Sequence, residues 1–343
     1  MAELHLRPNE SFEQVYEREP RALAFRAETL AEWQLWRDRA RGKLVKLLGL
    51  PATRGDLRPE ILEEYPREGY RVQKIALQTQ PYVTALAYVL LPDGDPGPRP
   101  VVLALHGHGS GARGILNEPI NQEHTQEIQL YNYNYAQIAA QRGYVVIAPE
   151  QIGFAERREA SEIASGISAS SCRQLAYWAQ MLGRTTVGLR VWDALRCLDY
   201  LETRPEADCS RAAILGLSGG GTTTLFTAAL DERFRAAVVS GYLCQWRGCL
   251  LAMEHCECNY VPGILRYLEC GDLGALIAPR ALLVEAGRQD PIFPLPYVRE
   301  AYATVERAYA LLGVPERLDR DEFEGEHRWS GAKAWDFLAR CLD

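Results

Sequence analysis

Ser218 stands in the run Gly216-Leu217-Ser218-Gly219-Gly220, followed by Gly221, directly after the apolar segment AAIL and before a stretch that reads as a helix. A serine hydroxyl attacks a carbonyl carbon well only when it projects from the backbone with room for a base beside it. A tight strand-to-helix turn flanked by small residues supplies both conditions. The same run would also suit a plain strand exit, since glycine and serine are common turn formers. What makes it chemical is the company it keeps, because a serine nucleophile needs an imidazole to take its proton and a carboxylate to hold that imidazole.

Asp290 follows the apolar run ALLVEAG in GRQDPIFP, and His327 follows a further candidate strand in EFEGEHRW. Each has an ordinary explanation when taken alone, Asp290 as a turn residue ahead of Pro291 and His327 as a surface histidine. Their order, serine then aspartate then histidine, each after a successive strand, makes them one set. A fourth element is LALHGHGSG, where an apolar run enters His106, Gly107, His108 and Gly109. A tetrahedral oxyanion needs two backbone N–H donors, here expected from Gly219, next to the nucleophile, and from His108. His106 is expected to be structural.

The elements that must position these residues alternate in type. Runs at 101–105, 144–148, 212–215, 234–240, 281–286 and 318–323 read as strands, and 135–142, 185–202, 222–230 and 297–312 as helices. That alternation predicts an α/β fold class with a mostly parallel central sheet flanked by helices on both faces. Residues 70–77 and 82–91, joined through Gln80 and Pro81, predict an antiparallel opening. Before them, Leu30, Trp33, Trp36, Ala40, Leu44 and Leu47 recur at three- and four-residue steps, a helix that Gly49 and Pro51 end. Residues 1–65 therefore read as a helical N-terminal extension too small for a core of its own, and 66–343 as the catalytic domain.

Two stretches, 153–182 and 241–276, interrupt the alternation just after strands, where open α/β sheets bind their ligands. They are expected to wall the site. In the second, Tyr242 and Trp246 are the expected substrate-contacting residues, with His255, Cys256 and Tyr260 as further candidates.

The whole chain is an ordinary globular composition of 343 residues, 47% hydrophobic and 24% charged. This argues against disordered, collagen-like and disulfide-miniprotein classes. A net charge of −7 opposes nucleic acid as a partner. The apolar runs fall far short of the roughly 20 residues of a membrane helix, so no membrane partner is expected. Nine cysteines, an odd number, and a start without a secretory-type apolar stretch fit a reduced cytoplasm. The run Cys244, Cys249, His255, Cys256 and Cys258 matches no common zinc spacing, so buried packing is expected and no metal. Gly109, Gly111 and Gly114 spell a dinucleotide fingerprint with Glu150 as its acid, but such a fingerprint should open a helix at once, and Pro119 with a polar run follows instead. No cofactor is expected, and oligomeric state has no signature in the sequence.

Taken together, HGHG (106–109), VVIAPEQIGFAERR (145–158), GLSGGG (216–221), ALIAPRALLVEAGRQDPIFP (275–294) and GEHRW (325–329) resemble the α/β-hydrolase superfamily. Within it the chain is similar to the dienelactone-hydrolase-like and acetyl-xylan-esterase-like branch, from about residue 70 to the C-terminus. The helical extension also resembles that of some bacterial acetyl-xylan-esterase-like members. The resemblance implies the α/β-hydrolase fold, a triad of Ser218, His327 and Asp290, and a small-molecule ester substrate carrying acetyl or another short acyl group, carbohydrate esters included. Two departures stand out. Dienelactone hydrolases use a cysteine where this chain has Ser218, so their lactone does not carry over. Esterase relatives read D-x-R-G-x-G where this chain has Glu150-Gln151-Ile152-Gly153-Phe154-Ala155. A serine peptidase of prolyl-oligopeptidase-like type shares the triad order, though this chain has no length for a propeller domain, and a non-catalytic hydrolase-fold binding protein is the other alternative.

Overall fold

The structure is a computed structural model that describes residues 7–94 and 97–342. Among the described residues, nine strands form one sheet. In chain order they are β1 (Glu60–Arg67), β2 (Tyr70–Gln80), β3 (Val83–Pro92), β4 (Arg99–Leu105), β5 (Val145–Pro149), β6 (Ala207–Leu217), β7 (Phe234–Ser240), β8 (Ala281–Gly287) and β9 (Leu318–Phe323). Their spatial order is β1-β2-β3-β5-β4-β6-β7-β8-β9. The first three strands and the β3–β5 pair are antiparallel, and every pair from β5 across to β9 is parallel. Parallel strands covered on both faces must be apolar throughout, which is why VVLAL, VVIAP and ALLV carry no polar alternation.

Two apolar layers sandwich the sheet, and the strands feed them by turns. Val101, Leu103 and Leu105 of β4 join one layer, while Val102 and Ala104 join the other. The first layer includes helices Thr186–Leu201, Gly219–Leu230, Cys270–Ile277 and Leu295–Leu311; the second includes Tyr135–Gln141 and Ala334–Leu342. This is the α/β-hydrolase architecture. No helix among the described residues is long and apolar enough to cross a membrane.

The N-terminal helix Leu30–Leu48 starts on a capping box between Thr29 and Glu32 and stops at Gly49, whose φ of 65° is left-handed. Its buried stripe of Trp33, Trp36, Ala40, Leu44 and Leu48 belongs to the first apolar layer rather than to a separate core. Phe25 N donates to the buried carboxylate of Asp272 at 2.8 Å, and Thr185 Oγ1 donates to Leu48 O at 3.1 Å. The helical character expected over 1–65 ends earlier than that boundary: Glu60–Arg67 is strand β1, paired to β2. Its sequence EILEEYPR hides it, because an edge strand exposed along most of its length needs no apolar alternation, and its charges and proline blunt the open edge.

Because the helical segment shares the main core, Leu44→Ala, at a fully buried position, should lower the unfolding free energy by about 2–5 kcal/mol. Leu35→Ala, on the exposed face of the same helix, should stay within about 0.5 kcal/mol of the parent in the same urea titration. Equal, small effects from both would mean the helix is only loosely attached.

Candidate active site

The carboxyl ends of β4 and β6 lie side by side and both turn on glycine. Ser218 holds a φ of 59° and a ψ of −118°, a strained conformation for a residue with a side chain, between β6 and helix Gly219–Leu230. Its N–H donates to Ser240 O at 2.9 Å, which ties the turn to β7. The flanking glycines are steric necessities: a Cβ on Gly216 would lie 2.6 Å from the Gly220 carbonyl carbon, and one on Gly220 would lie 2.1 Å from Leu105 O.

Asp290 and His327 meet at the ends of β8 and β9. His327 Nδ1 lies 2.7 Å from Asp290 Oδ2, and Asp290 Oδ1 accepts the N–H groups of Ile292 at 2.8 Å and Phe293 at 3.0 Å. The two backbone donors hold the carboxylate still, and the carboxylate then fixes the imidazole with its other nitrogen free. Phe293 stacks on the His327 ring at 5.5 Å between centroids, and Gly241 is small because a Cβ there would come within 3.0 Å of the ring.

The loop carrying His327 is braced from two sides. Glu285, fully buried at the end of β8, accepts Gly331 N–H at 2.9 Å and Ser330 N–H at 3.3 Å. On the other side Trp329 N donates to Tyr131 O at 3.1 Å, and Asn132 Nδ2 donates to Trp329 O at 3.1 Å.

Ser218 and His327 open onto one cleft of about 140 Å³, lined also by His108, Tyr131, Tyr133, His255, Cys256 and Ile292. The His108 amide nitrogen lies 3.6 Å from the position of a Cβ on Gly219, so the two expected oxyanion donors are neighbours. His106 faces away from the cleft and is wholly buried. Its Nε2 accepts Gln151 N–H at 2.9 Å and lies 2.9 Å from Glu150 Oε1, joining the exits of β4 and β5.

The glycines that mimic a dinucleotide fingerprint are occupied otherwise. Gly109 and Gly111, at φ of 132° and 91°, close onto the carboxylates of Glu127 and Glu150, where Cβ atoms would lie 2.2 Å and 2.4 Å from carboxylate oxygens. Ser110 N and Oγ both donate to Glu127 Oε1, and Ala112 N donates to Glu150. Two buried carboxylates where a pyrophosphate would rest repel it. The helix that follows has only four residues.

Two expected contacts are corrected. Tyr242 and Trp246 do not line the cleft with Ser218; both are buried in the first apolar layer. The chain leaving β7 turns inward at Gly241, so Tyr242 packs behind Phe293, at 5.6 Å, one layer from His327. Trp246 stacks near Phe226 and lines a separate cavity with Tyr260. His255 and Cys256 do face the cleft, and burial together with the charges of His108 and His327 pushes the His255 pKa down to about 4. The wall residues that sequence reasoning missed are Tyr131, Tyr133 and Ile292. Tyr131, Tyr133 and Tyr135 lie on either side of the left-handed Asn132, at the junction of helices Gln122–Tyr131 and Tyr135–Gln141, and form an aromatic chain to Trp329; their two-residue spacing imitates a strand and carries no catalytic signal. Burial holds the Tyr133 phenol above its ordinary pKa, so it remains a neutral donor beside Gly107.

Next to this cleft lies a group of sulfurs. Cys256 and Cys258 sit 3.2 Å apart, His108 Nε2 lies 3.1 Å from Cys258 Sγ, and Arg190 reaches Cys258 and Cys172 at 3.2 Å each. Burial alone would raise the Cys258 thiol, yet hydrogen bonds with Cys172 and Cys256 and the Arg190 charge hold it well below the ordinary thiol range. Cys244, Cys249 and Cys270 are elsewhere, buried with their thiols near backbone carbonyls.

With this geometry established, the relatives are informative. The chain belongs to the Abhydrolase family. The family model matches residues 12–334, which takes in helix Leu30–Leu48 of the extension. A Bacillus subtilis (strain 168) protein named "Putative hydrolase YtaP" is 27% identical over 276 residues, 79% of this chain and 87% of that protein. Among solved structures, a "putative acetyl xylan esterase" from Bacteroides fragilis superimposes with a TM-score of 0.81 at 20% identity, over 93% of this chain and 83% of that one. A glucuronoyl esterase from Solibacter usitatus gives 0.67 at 16% identity, over 94% and 96% of the two chains. These are likenesses of fold, and the Abhydrolase fold is the shared frame.

Desolvation raises the Glu285 carboxyl to a pKa of about 7. The folded state therefore keeps a proton that the unfolded state loses above about pH 4.5, and this group's stabilisation fades as pH rises from there through about 7. Glu285→Gln cannot lose that proton. Its melting temperature relative to the parent should be higher at about pH 8 than at about pH 5 by scanning calorimetry. A pH-independent difference would contradict the assignment.

Proposed function

We propose that this Abhydrolase-family protein is a serine hydrolase of carboxylic esters, acting through Ser218, His327 and Asp290. The observation that carries the reading is the Asp290–His327 hydrogen bond of 2.7 Å at the edge of a cleft that also holds Ser218 on its strained turn. In this reading His327 Nε2 takes the Ser218 proton as Oγ adds to the acyl carbon, and Asp290 steadies the imidazolium that forms. The amides of His108 and Gly219 receive the oxyanion, and the alcohol leaves with the proton from His327. Water, activated by the same imidazole, then cleaves the acyl-enzyme and frees Ser218.

Two features support a small, neutral ester. The cleft of about 140 Å³ accommodates an acetyl or similarly short acyl group. Its lining is made of tyrosines, histidines, Ser218, Ile292 and Cys256, with burial and the charges of His108 and His327 lowering the His255 pKa to about 4, which suits a neutral substrate. Tyr131 offers a ring at the cleft, a surface on which a sugar ring can stack, and the acetyl xylan esterases among the fold neighbours are in keeping with a carbohydrate ester. The nine cysteines, all free thiols, suit a reducing compartment.

Purified protein should hydrolyse p-nitrophenyl acetate and react covalently with a fluorophosphonate probe at Ser218. Ser218→Ala should lose on the order of 10³-fold or more in kcat and all labelling. Faster cleavage of aminoacyl amides than of acyl esters would make the enzyme a peptidase. A folded parent that takes no label and turns over no ester would make it a binding protein.

A further inference from the structure

Four donor atoms from three separate segments converge beside the catalytic cleft: His108 from the β4 exit, Cys172 from the insertion after β5, and Cys256 and Cys258 from the insertion after β7. All four lie within 4.8 Å of one another. Four ligands on one tetrahedral zinc, with Zn–S bonds of about 2.3 Å, stand about 3.7 Å apart. The observed separations of 3.1 Å for His108 Nε2 to Cys258 Sγ and 3.2 Å for Cys256 Sγ to Cys258 Sγ, with an outer limit of 4.8 Å, bracket that spacing. The spread leaves room for one ion between the donors, not for a cluster of two irons.

Charge points the same way. Arg190 is buried, with its guanidinium over the Phe154 ring at 4.8 Å. Its hydrogen-bond partners are Ile152 O and the sulfurs of Cys172 and Cys258, and among the described residues no carboxylate pairs with it. A buried cation requires a counter-charge, and the thiolates are what is present to supply it. Three thiolates, one divalent cation and one guanidinium sum to zero, so a Cys₃His-bound ion leaves the pocket neutral. Cys172 and Cys258 are closed off with Phe154, whereas Cys256 and His108 face the cleft and give a metal its way in.

We propose that His108, Cys172, Cys256 and Cys258 form a structural zinc site that ties both insertions to the oxyanion loop. Four protein ligands leave no open coordination position, so the ion braces the fold and takes no substrate. Binding releases the protons of those thiols not already ionised to solvent. With Nε2 of His108 on the ion, the ring proton sits on Nδ1, which lies against Gly219, 2.8 Å from where a Cβ there would be. The ion would thereby hold the His108 amide in register with Gly219. That positioning role rests on the ester-hydrolase reading; the metal site itself does not.

The decisive experiment is metal analysis of the full chain, purified reduced and exchanged with Zn²⁺. Mass spectrometry should find about one zinc per chain, retained through gel filtration and released when a mercurial blocks the thiols. The Co²⁺ form should show thiolate-to-cobalt charge transfer and the intense d–d absorption of a tetrahedral site. Cys256→Ser and Cys172→Ser should each cut the zinc content below about half, while Cys244→Ser, in the other sulfur group, should keep it. Stripping the ion should lower the melting temperature by several degrees. Reduced parent protein that retains no zinc and gives no cobalt–thiolate band overturns the proposal, as does equal zinc in all three serine variants. Should Cys172→Ser fail to fold, the cobalt spectrum of the parent and the zinc content of Cys256→Ser decide. None of these readouts depends on ester turnover, so failure of the hydrolase reading would be seen separately, in the fluorophosphonate assay.

Discussion

Everything at the site depends on how closely the backbone of β4 approaches the turn after β6. Leu105 O and the Cα of Gly220 are so near that a single methyl at 220 would overlap the carbonyl. That contact seats the start of helix Gly219–Leu230 against the β4 exit and obliges Ser218 to take its positive φ. It also places the loop beginning at His106 beside Ser218, so the Gly219 and His108 amides can face one volume. Small residues are needed because backbone must touch backbone, and no flexible side chain could yield enough to relieve the clash.

Around that contact the molecule is held by buried polar groups rather than by apolar packing alone. Glu127 and Glu150 clamp the glycine loop after β4, Glu285 clamps the loop after His327, and Asp272 holds the N-terminal segment at Phe25. Each carboxylate is buried and each receives backbone N–H groups, which offset part of its desolvation and give the loop it grips one geometry. Ser218, Asp290 and His327 all lie on turns or loops beyond strand ends, and loops without a core of their own need such fixed points. The Phe293 ring against His327, supported from behind by Tyr242, is the apolar counterpart of the same arrangement.

The helical extension and the two insertions do different work. Helix Leu30–Leu48 completes the first apolar layer by covering helices Gly219–Leu230 and Cys270–Ile277, and none of its residues lines the cleft. The insertions come back to the catalytic edge and meet each other, through Cys172 on one side and Cys256 and Cys258 on the other. Arg190, from the helix Thr186–Leu201 beneath them, donates to both sulfur-bearing segments.

The serine turn, the places of Asp290 and His327 after successive strands and the alternation of strand and helix are legible in the amino-acid sequence because their signals are local. A Gly-x-Ser-x-Gly run after an apolar strand states its own geometry, and continuous apolar runs announce strands buried on both faces. Strand β1 was not legible, since an exposed edge leaves no apolar alternation to read. The exit of β7 at this edge of the sheet suggests Tyr242 and Trp246 as cleft wall, but whether an aromatic side chain there faces the cleft or the core is set by the turn at Gly241 and by what packs behind it. Tyr131 and Tyr133 reach the site from a segment with no catalytic signature. The sulfur cluster is the clearest case: its four members span 108 to 258, and no spacing rule joins them. Local backbone chemistry is written in neighbouring residues and can be read there; which distant side chains share one small volume follows from the summed packing of all the elements, and that is visible in the folded chain alone.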